Sequence, residues 1–244
     1  MSIDIAVQSE NLLIASLTAT DRRKLLAHCA CVDLSIADVL SVPKEKLRRV
    51  YFPIDSVISL SVSKELHAKF EVRLIGREGM LGVALTLGVD VAPLYALVQV
   101  PGMALSIDTP AFRRQVAQSP SLRRELKHYL LVIVSQLAQS AVCNRFHLTE
   151  SRLARWLLMT HDRTSTDDFH VTHEGLANIL GVRRVGITKA ATALQDRRLI
   201  SYSRGHITII DPVGLQSVSC GCYQADKSIY ASIMRRPMNV SASE

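Results

Sequence analysis

Arg183, Arg184, Thr188, Lys189 and Thr192 can all hydrogen-bond to nucleobase edges or phosphates, and they stand close together just after a glycine. Arginine offers a planar fork that matches O6 and N7 of guanine, while lysine and threonine reach bases or phosphate oxygens. Arg184 and Thr188 are four apart, which puts them on one side of a helix with Lys189 beside them. Arg204 and His206, with Arg197 and Arg198, suit phosphate contacts that hold register without reading sequence. Charges on any helix can also be a plain solvated face. What decides between the two is the elements that carry them.

Those elements read clearly. Thr172 caps a short helix that runs to Leu180, with Leu176, Ala177 and Leu180 inward. Gly181 ends it as a left-handed residue at a sharp turn. A second helix, Arg183 to Arg197, packs Val185 or Ile187, Ala190, Ala191 and Leu194. Two such helices around a glycine turn are a helix-turn-helix, and the start of the second enters a major groove. "LISYSRGHITIID" adds a hairpin turning at Arg204–Gly205, so the motif is winged. Upstream, "LTESRLARWLLMTHDR" reads as a helix capped by Thr149 with Leu153, Trp156, Leu157 and Thr160 on its apolar face. Trp156 is expected in the core.

A long helix begins near Ser119–Pro120, where proline fits the first turn. Leu126, Leu130, Ile133, Leu137 and Ser140/Ala141 alternate at spacings of four and three, a coiled-coil seam and the expected dimer interface. Residues 10–30 read as short amphipathic helices, with Thr18 or Thr20 capping the second. From about Val32 to Ile107, "VYFPIDSVISLSVS", "KFEVRLIG", "ALVQVPG" and "MALSID" are short strands broken by proline and glycine, which suggests an antiparallel sandwich or barrel. "VSKELHAKF" is a hairpin connection with Lys64 and Glu65 near its tip. After Asp211 a short helix is expected over the winged domain, followed by a disordered end.

The 244 residues allow one large or two ordinary domains, and the 48% hydrophobic content allows a sizeable core. The formal net charge of +7 favours a polyanionic partner. "MSIDIAVQSE" does not read as a signal peptide, and "YLLVIVSQLAQSAV" is too short to span a bilayer. The expectation is a cytoplasmic protein with no membrane contact.

The five cysteines are an odd number, which argues against a disulfide framework. Cys143 and His147 could face each other on a helix, but a nucleophile also needs an orienter and an oxyanion site, and neither is suggested. Cys220 and Cys222 lie far along the chain, and a Cys-x-Cys pair alone is a poor zinc chelate. His161, His170 and His173 have no regular ligand spacing. Buried or incidental thiols are therefore expected, with no metal and no cofactor, although thiol redox sensing through Cys220 and Cys222 stays open. There is no P-loop, no GxGxxG after a strand and no HExxH, so no enzyme is expected.

The segment "LANILGVRRVGITKAATALQDRRLISYSRGHITI", with "VYFPIDSVISL", "LIGREGMLGV" and "CNRFHLTESRLARWLLMTHDR", resembles the CRP–FNR transcription regulators in a bacterial branch. The resemblance implies an α+β fold. An N-terminal antiparallel β-roll of the cyclic-nucleotide-binding type with its leading helices would cover 1–118, a long dimerisation helix 119–146, and a C-terminal winged helix-turn-helix 147–215, leaving a tail over 216–244. It implies a homodimer that binds double-stranded DNA, contacts RNA polymerase and responds to a small-molecule effector of unknown identity. In the family the recognition helix carries an Arg, a Glu and a later basic residue. Arg184 matches the first and Lys189 the last, but Val185 replaces the Glu, so the target cannot be assumed to be the cyclic-AMP regulator's site.

In cyclic-nucleotide binders of this family, a Gly-Glu turn and a following Arg-Ser pair hold the ribose and phosphate. Here Arg77, Glu78 and Gly79 in "GREGMLG" are the effector-pocket candidates, with Glu78 placed for a ribose hydroxyl, though Arg77 and Glu78 could equally be ordinary turn residues. Between Gly82 and Gln99 there is no Arg, Lys or Ser, and a buried phosphate without a cation is costly. Cyclic AMP is therefore not the expected ligand. The family's oxygen-sensing branch uses an N-terminal cysteine cluster for an iron–sulfur centre; Cys29 and Cys31, one residue apart, do not supply the usual four thiolates. The alternative to a DNA-binding regulator is a ligand-binding or interaction protein that keeps the helix-turn-helix for packing alone.

Overall fold

The computed structural model describes residues 11–63, 69–164 and 166–234. The hairpin tip expected at Lys64 and Glu65, and the disordered end expected at the C-terminus, lie outside them. The chain divides into two compact units, one of residues 1–60 and 74–125, the other of residues 61–73 and 126–244.

The first unit opens with α1 (Leu12–Ala15) and α2 (Ala19–Leu26). Thr18 caps α2 by accepting the Asp21 N–H. Asn11 is fully buried and fully used. Its Oδ1 accepts from the Leu13 and Ile14 amides, each at 3.1 Å, and its Nδ2 donates to Pro53 O at 2.9 Å and Gly79 O at 2.8 Å. A buried amide is tolerated only when satisfied in this way.

The strands are β1 (Ala30–Leu34), β2 (Val39–Ser41), β3 (Arg49–Pro53), β4 (Val57–Ser63), β5 (Lys69–Ile75), β6 (Tyr95–Val100) and β7 (Gly102–Asp108). They form two sheets, β1-β7-β3 and β2-β6-β4-β5. β7 pairs antiparallel with both neighbours, Val32 opposite Ala104 and Phe52 opposite Leu105. β6 alternates half-buried and buried residues along its length, the period of a strand with one face in a core. Phe52 and Phe112 meet at a ring separation of 6.3 Å in that core. The antiparallel β-rich N-terminal region is thus present, with β1 and β2 as additional short strands.

A further helix, α3 (Thr109–Gln118), follows β7; Asp108 caps it by accepting the Ala111 N–H, and Pro110 sits in its first turn. Serine 119 then starts α4 (Pro120–Phe146), its Oγ accepting the Leu122 N–H. The residues of the expected seam on α4 lie at different depths in the single chain. Leu126 is 1% exposed in the single chain and has no surface left to give a partner. Leu130 and Ile133 are half-buried, and of the four only Leu137 is exposed. The open apolar stripe is Leu131, Val134, Leu137 and Val142. The helix is apolar on more than one side, so sequence spacing could not say which side the chain covers itself.

The second unit continues with α5 (Thr149–His161), β8 (Asp168–His170), α6 (His173–Leu180), α7 (Arg184–Asp196), β9 (Ile200–Ser203), β10 (His206–Ile209), α8 (Pro212–Val218) and α9 (Cys222–Ile233). Leu153, Trp156, Leu157 and Thr160 are buried as expected, but the N-cap of α5 is Leu148, with no side-chain bond, and Thr149 is its first residue. The wing has a third strand, in the order β8-β10-β9. Residues 216–234, expected as part of a tail, are folded. α9 buries Cys222, Tyr223 and Asp226, and Asp226 forms an ion pair with Arg155 of α5. No helix among the described residues is long and apolar enough to cross a membrane.

Candidate nucleic-acid interface

The helix-turn-helix is built as its residues dictate. Thr172 caps α6, its Oγ1 accepting the Gly175 N–H at 3.0 Å. Leu176, Ala177 and Leu180 are buried. Gly181 turns the chain at φ +63°, ψ +39°. A Cβ there would meet Phe70 Cε2 at 2.5 Å, so both backbone conformation and crowding exclude a side chain.

The second helix, α7, buries Ile187, Ala190, Ala191 and Leu194. This settles the choice between Val185 and Ile187: Ile187 is fully buried, whereas Val185 is 61% exposed. Arg183 is the N-cap residue of α7 and Arg184 its first helical residue, and both are exposed. Thr188, Lys189 and Thr192 are also exposed along the helix. Hydrogen-bond donors and the apolar Val185 therefore share the uncovered side of the first turns of α7.

Thr188 is held rather than free to swing. Its Oγ1 lies 3.1 Å from His173 Nδ1 and donates to Arg184 O at 3.2 Å. His173 in turn stacks on Tyr202 of the wing, with ring centroids 4.4 Å apart and planes 7° from parallel. Partial burial holds the His173 pKa below the ordinary histidine value, and the charge of Arg184 adds to this. The His173 imidazole is thus wedged between α7 and the wing.

On the wing, Arg204 (φ +50°) and Gly205 (φ +84°) form the two-residue turn between β9 and β10. Two positive φ values are what a tight hairpin turn of matching twist requires. Arg204 thus occupies a conformation that arginine rarely adopts, at an exposed tip. His206 begins β10, exposed, with its ring 4.9 Å from that of His170. Arg197 lies 3.4 Å from Glu150 of α5, and Arg198 is exposed at φ +57°.

Buried contacts fix the platform behind α6 and α7. Arg152 of α5 is 8% exposed and donates to Leu180 O, the last carbonyl of α6, and to Asn144 Oδ1 at 2.9 Å. A cation at a helix C-terminus answers both the free carbonyl and the dipole. Trp156 Nε1 donates to Glu71 Oε1 at 2.9 Å, and its ring meets Phe169 edge-on.

The effector candidates sit in a closed turn. Glu78 is buried and its Oε2 accepts the Gly76 N–H at 3.1 Å. Arg77 O accepts from the Leu12 N–H and Gly79 O from Asn11. After Gly82 the chain enters a 3-10 helix, Val83–Leu87, where the Thr86 hydroxyl donates to Val83 O at 2.7 Å. A separate cleft in the same unit is lined by Glu45, Lys46, Leu47, Arg48, Asp90 and Thr109, and none of the three candidates borders it.

Residues 151–218 match the family model of the Crp-like helix-turn-helix domain. The global nitrogen regulator of Synechococcus elongatus is 23% identical over 182 residues, covering 71% of this chain and 82% of that protein. Among solved structures, the c-di-GMP-responsive global regulator CLP of Xanthomonas campestris superposes with a TM-score of 0.61 at 14% identity, over 79% of this chain and 99% of that one. A CRP/FNR-family transcriptional regulator of Thermus thermophilus gives a TM-score of 0.55 at 19% identity, over 78% and 98%.

Proposed function

We propose that the chain is a sequence-specific DNA-binding transcription regulator that works as a homodimer, a reading supported by the match of residues 151–218 to the Crp-like helix-turn-helix model and by a fold like that of CRP/FNR regulators. The observation that carries this reading is the division of α7. One side is buried as Ile187, Ala190, Ala191 and Leu194, while the other exposes Arg184, Val185, Thr188, Lys189 and Thr192.

In this reading the start of α7 enters the major groove. Arg184 forks onto a guanine, and Val185 lies against a thymine methyl, the apolar mark that groove offers. Lys189 and Thr192 reach bases or phosphates further along. Arg183, Arg204 and His206 bind the backbone and set the register. His173 and Tyr202 are positioning residues that lock Thr188 and join α7 to the wing.

The dimer forms along the open stripe of α4, Leu131, Val134, Leu137 and Val142, against the same stripe of a second copy. Two recognition helices then face successive major grooves, about 34 Å apart, on an approximately palindromic site. The N-terminal unit is the sensor. Its effector is not a cyclic nucleotide held in the usual way, a reading supported by the satisfied Glu78 carboxylate and Thr86 hydroxyl and by the lack of a basic residue from Gly82 to Gln99.

Equilibrium binding to a random-sequence duplex between 50 and 200 mM salt tests the reading at its base. A regulator making several phosphate contacts loses affinity steeply with salt, by roughly 10³-fold or more across that range. Salt-insensitive, weak binding would leave the helix-turn-helix with a packing role only.

A further inference from the structure

Cys143, Cys220 and Cys222 are far apart in sequence, yet the fold gathers them into one buried cluster, and His147 joins it. Cys143 and His147 lie at the end of α4, one turn apart. Cys220 and Cys222 flank the start of α9. The three Sγ atoms and one imidazole nitrogen all lie within 4.8 Å of one another. The cysteines are 0%, 7% and 2% exposed in chain order, and none is in a disulfide.

We propose that these four residues bind one Zn²⁺ ion as a closed Cys3His site that locks the end of the long helix to the C-terminal helices.

Two of the separations come close to the edges of a tetrahedron around one ion, and all four ligand atoms lie within 4.8 Å of one another. Bonds of about 2.3 Å to sulfur and 2.0–2.1 Å to nitrogen give edges of about 3.8 Å between sulfurs and about 3.6 Å between sulfur and nitrogen. Cys143 Sγ and Cys220 Sγ are 3.5 Å apart, and Cys222 Sγ and His147 Nδ1 are 3.5 Å apart. Soft thiolates with an imidazole select zinc over the oxygen-seeking cations. Four protein ligands leave no open coordination position, so the site is structural and not catalytic.

The surroundings fit the charge. Zinc with three thiolates and a neutral imidazole carries a net charge of −1. Gln139 Nε2 points at Cys222 Sγ from 3.0 Å, a donor to a ligating sulfur of the kind that orients metal ligands.

The location gives the ion a task. His147 follows directly after the last residue of α4, where the chain turns into α5. Cys220 and Cys222 bracket the junction of α8 and α9. The metal would pin the direction in which the DNA-binding helices leave α4. It would also account for a C-terminal segment that is folded here. Because binding draws on a folded site, its free energy becomes folding free energy.

The test is made on the full chain, purified under reducing conditions, and rests first on the wild type so that no variant need fold. Elemental mass spectrometry is expected to find one zinc per chain. Co²⁺ added to the reduced, zinc-free protein is expected to give tetrahedral ligand-field bands and a charge-transfer band of three-thiolate intensity. His147→Cys should keep the metal and raise that band to four-thiolate intensity. Gln139→Ala should weaken zinc in a chelator competition by about 10–100-fold. Cys31→Ser, at an exposed residue outside the cluster, should change nothing. Substoichiometric zinc with no cobalt spectrum would overturn the site. So would a Cys143–Cys220 disulfide in protein that takes up no metal after reduction, which would make the cluster a thiol pair.

Discussion

The Arg152 guanidinium donates to the Leu180 carbonyl, joining the buried face of α5 to the last residue of α6, immediately before the Gly181 turn. The same nitrogen donates to Asn144 of α4. One arginine thereby sets where the helix-turn-helix begins its turn.

Arg152→Met keeps much of the packing and removes both bonds. Hydrogen bonds to a charged group contribute about 1.5–3 kcal/mol, so a loss of that order is expected in chemical denaturation. DNA binding should fall as well, because α7 loses its reference. Unchanged stability would mean that Arg152 is a passenger in its pocket.

Arg184→Ala and Arg204→Ala should fail in different ways. The first is expected to cost about 1–3 kcal/mol of discrimination between the target and a duplex changed at the contacted base pair. The second should weaken binding to all duplexes alike and reduce the salt slope by about one. Competition titrations with specific and random duplexes separate the two. Equal losses on both duplexes for both variants would contradict this division.

Acidification should act through His173. Its folded-state pKa lies below the ordinary 6.5 because of burial and the charge of Arg184. Between that lowered value and 6.5 the unfolded chain binds more protons than the folded one, so stability falls as pH drops through the window. Thermal unfolding is expected to show a smaller decline toward low pH for His173→Gln than for the wild type. A parallel decline would remove His173 from the account.

Substitutions on α4 should separate the open stripe from the core. Val134→Glu is expected to give monomers of near-wild-type stability that bind DNA weakly. Leu126→Glu places a charge at a fully buried position and should lower stability by roughly 3 kcal/mol or more. Sedimentation together with denaturation reads both. A dimeric Val134→Glu protein would move the interface elsewhere.

The helix-turn-helix was legible because its signals are local. The Thr172 cap, the Gly181 turn, and the alternation of small apolar and basic residues on α7 sit within a few turns of one another. Arg204–Gly205 marked the wing for the same reason. On α4 the apolar pattern was legible but the depth of each residue was not: with apolar residues on several sides, only tertiary packing decides that Leu126 goes inward and Val134 outward. β8 is only three residues long and carries no periodicity to detect. The cysteine cluster is a different failure. Cys143 with His147 is a sound half-site on a helix and Cys220 with Cys222 a weak one in a turn, and nothing in sequence spacing says they meet. The i, i+4 pair followed by a distant Cys-x-Cys was the only available signal.

Selection of purified protein on a randomised duplex library, with and without cyclic AMP, tests the central claim most directly. The expected result is one enriched, approximately palindromic sequence, its half-sites about one helical turn apart, in both conditions. Enrichment only with the nucleotide would contradict the reading of the sensor. No enrichment in either condition would contradict sequence-specific recognition by the chain as it stands.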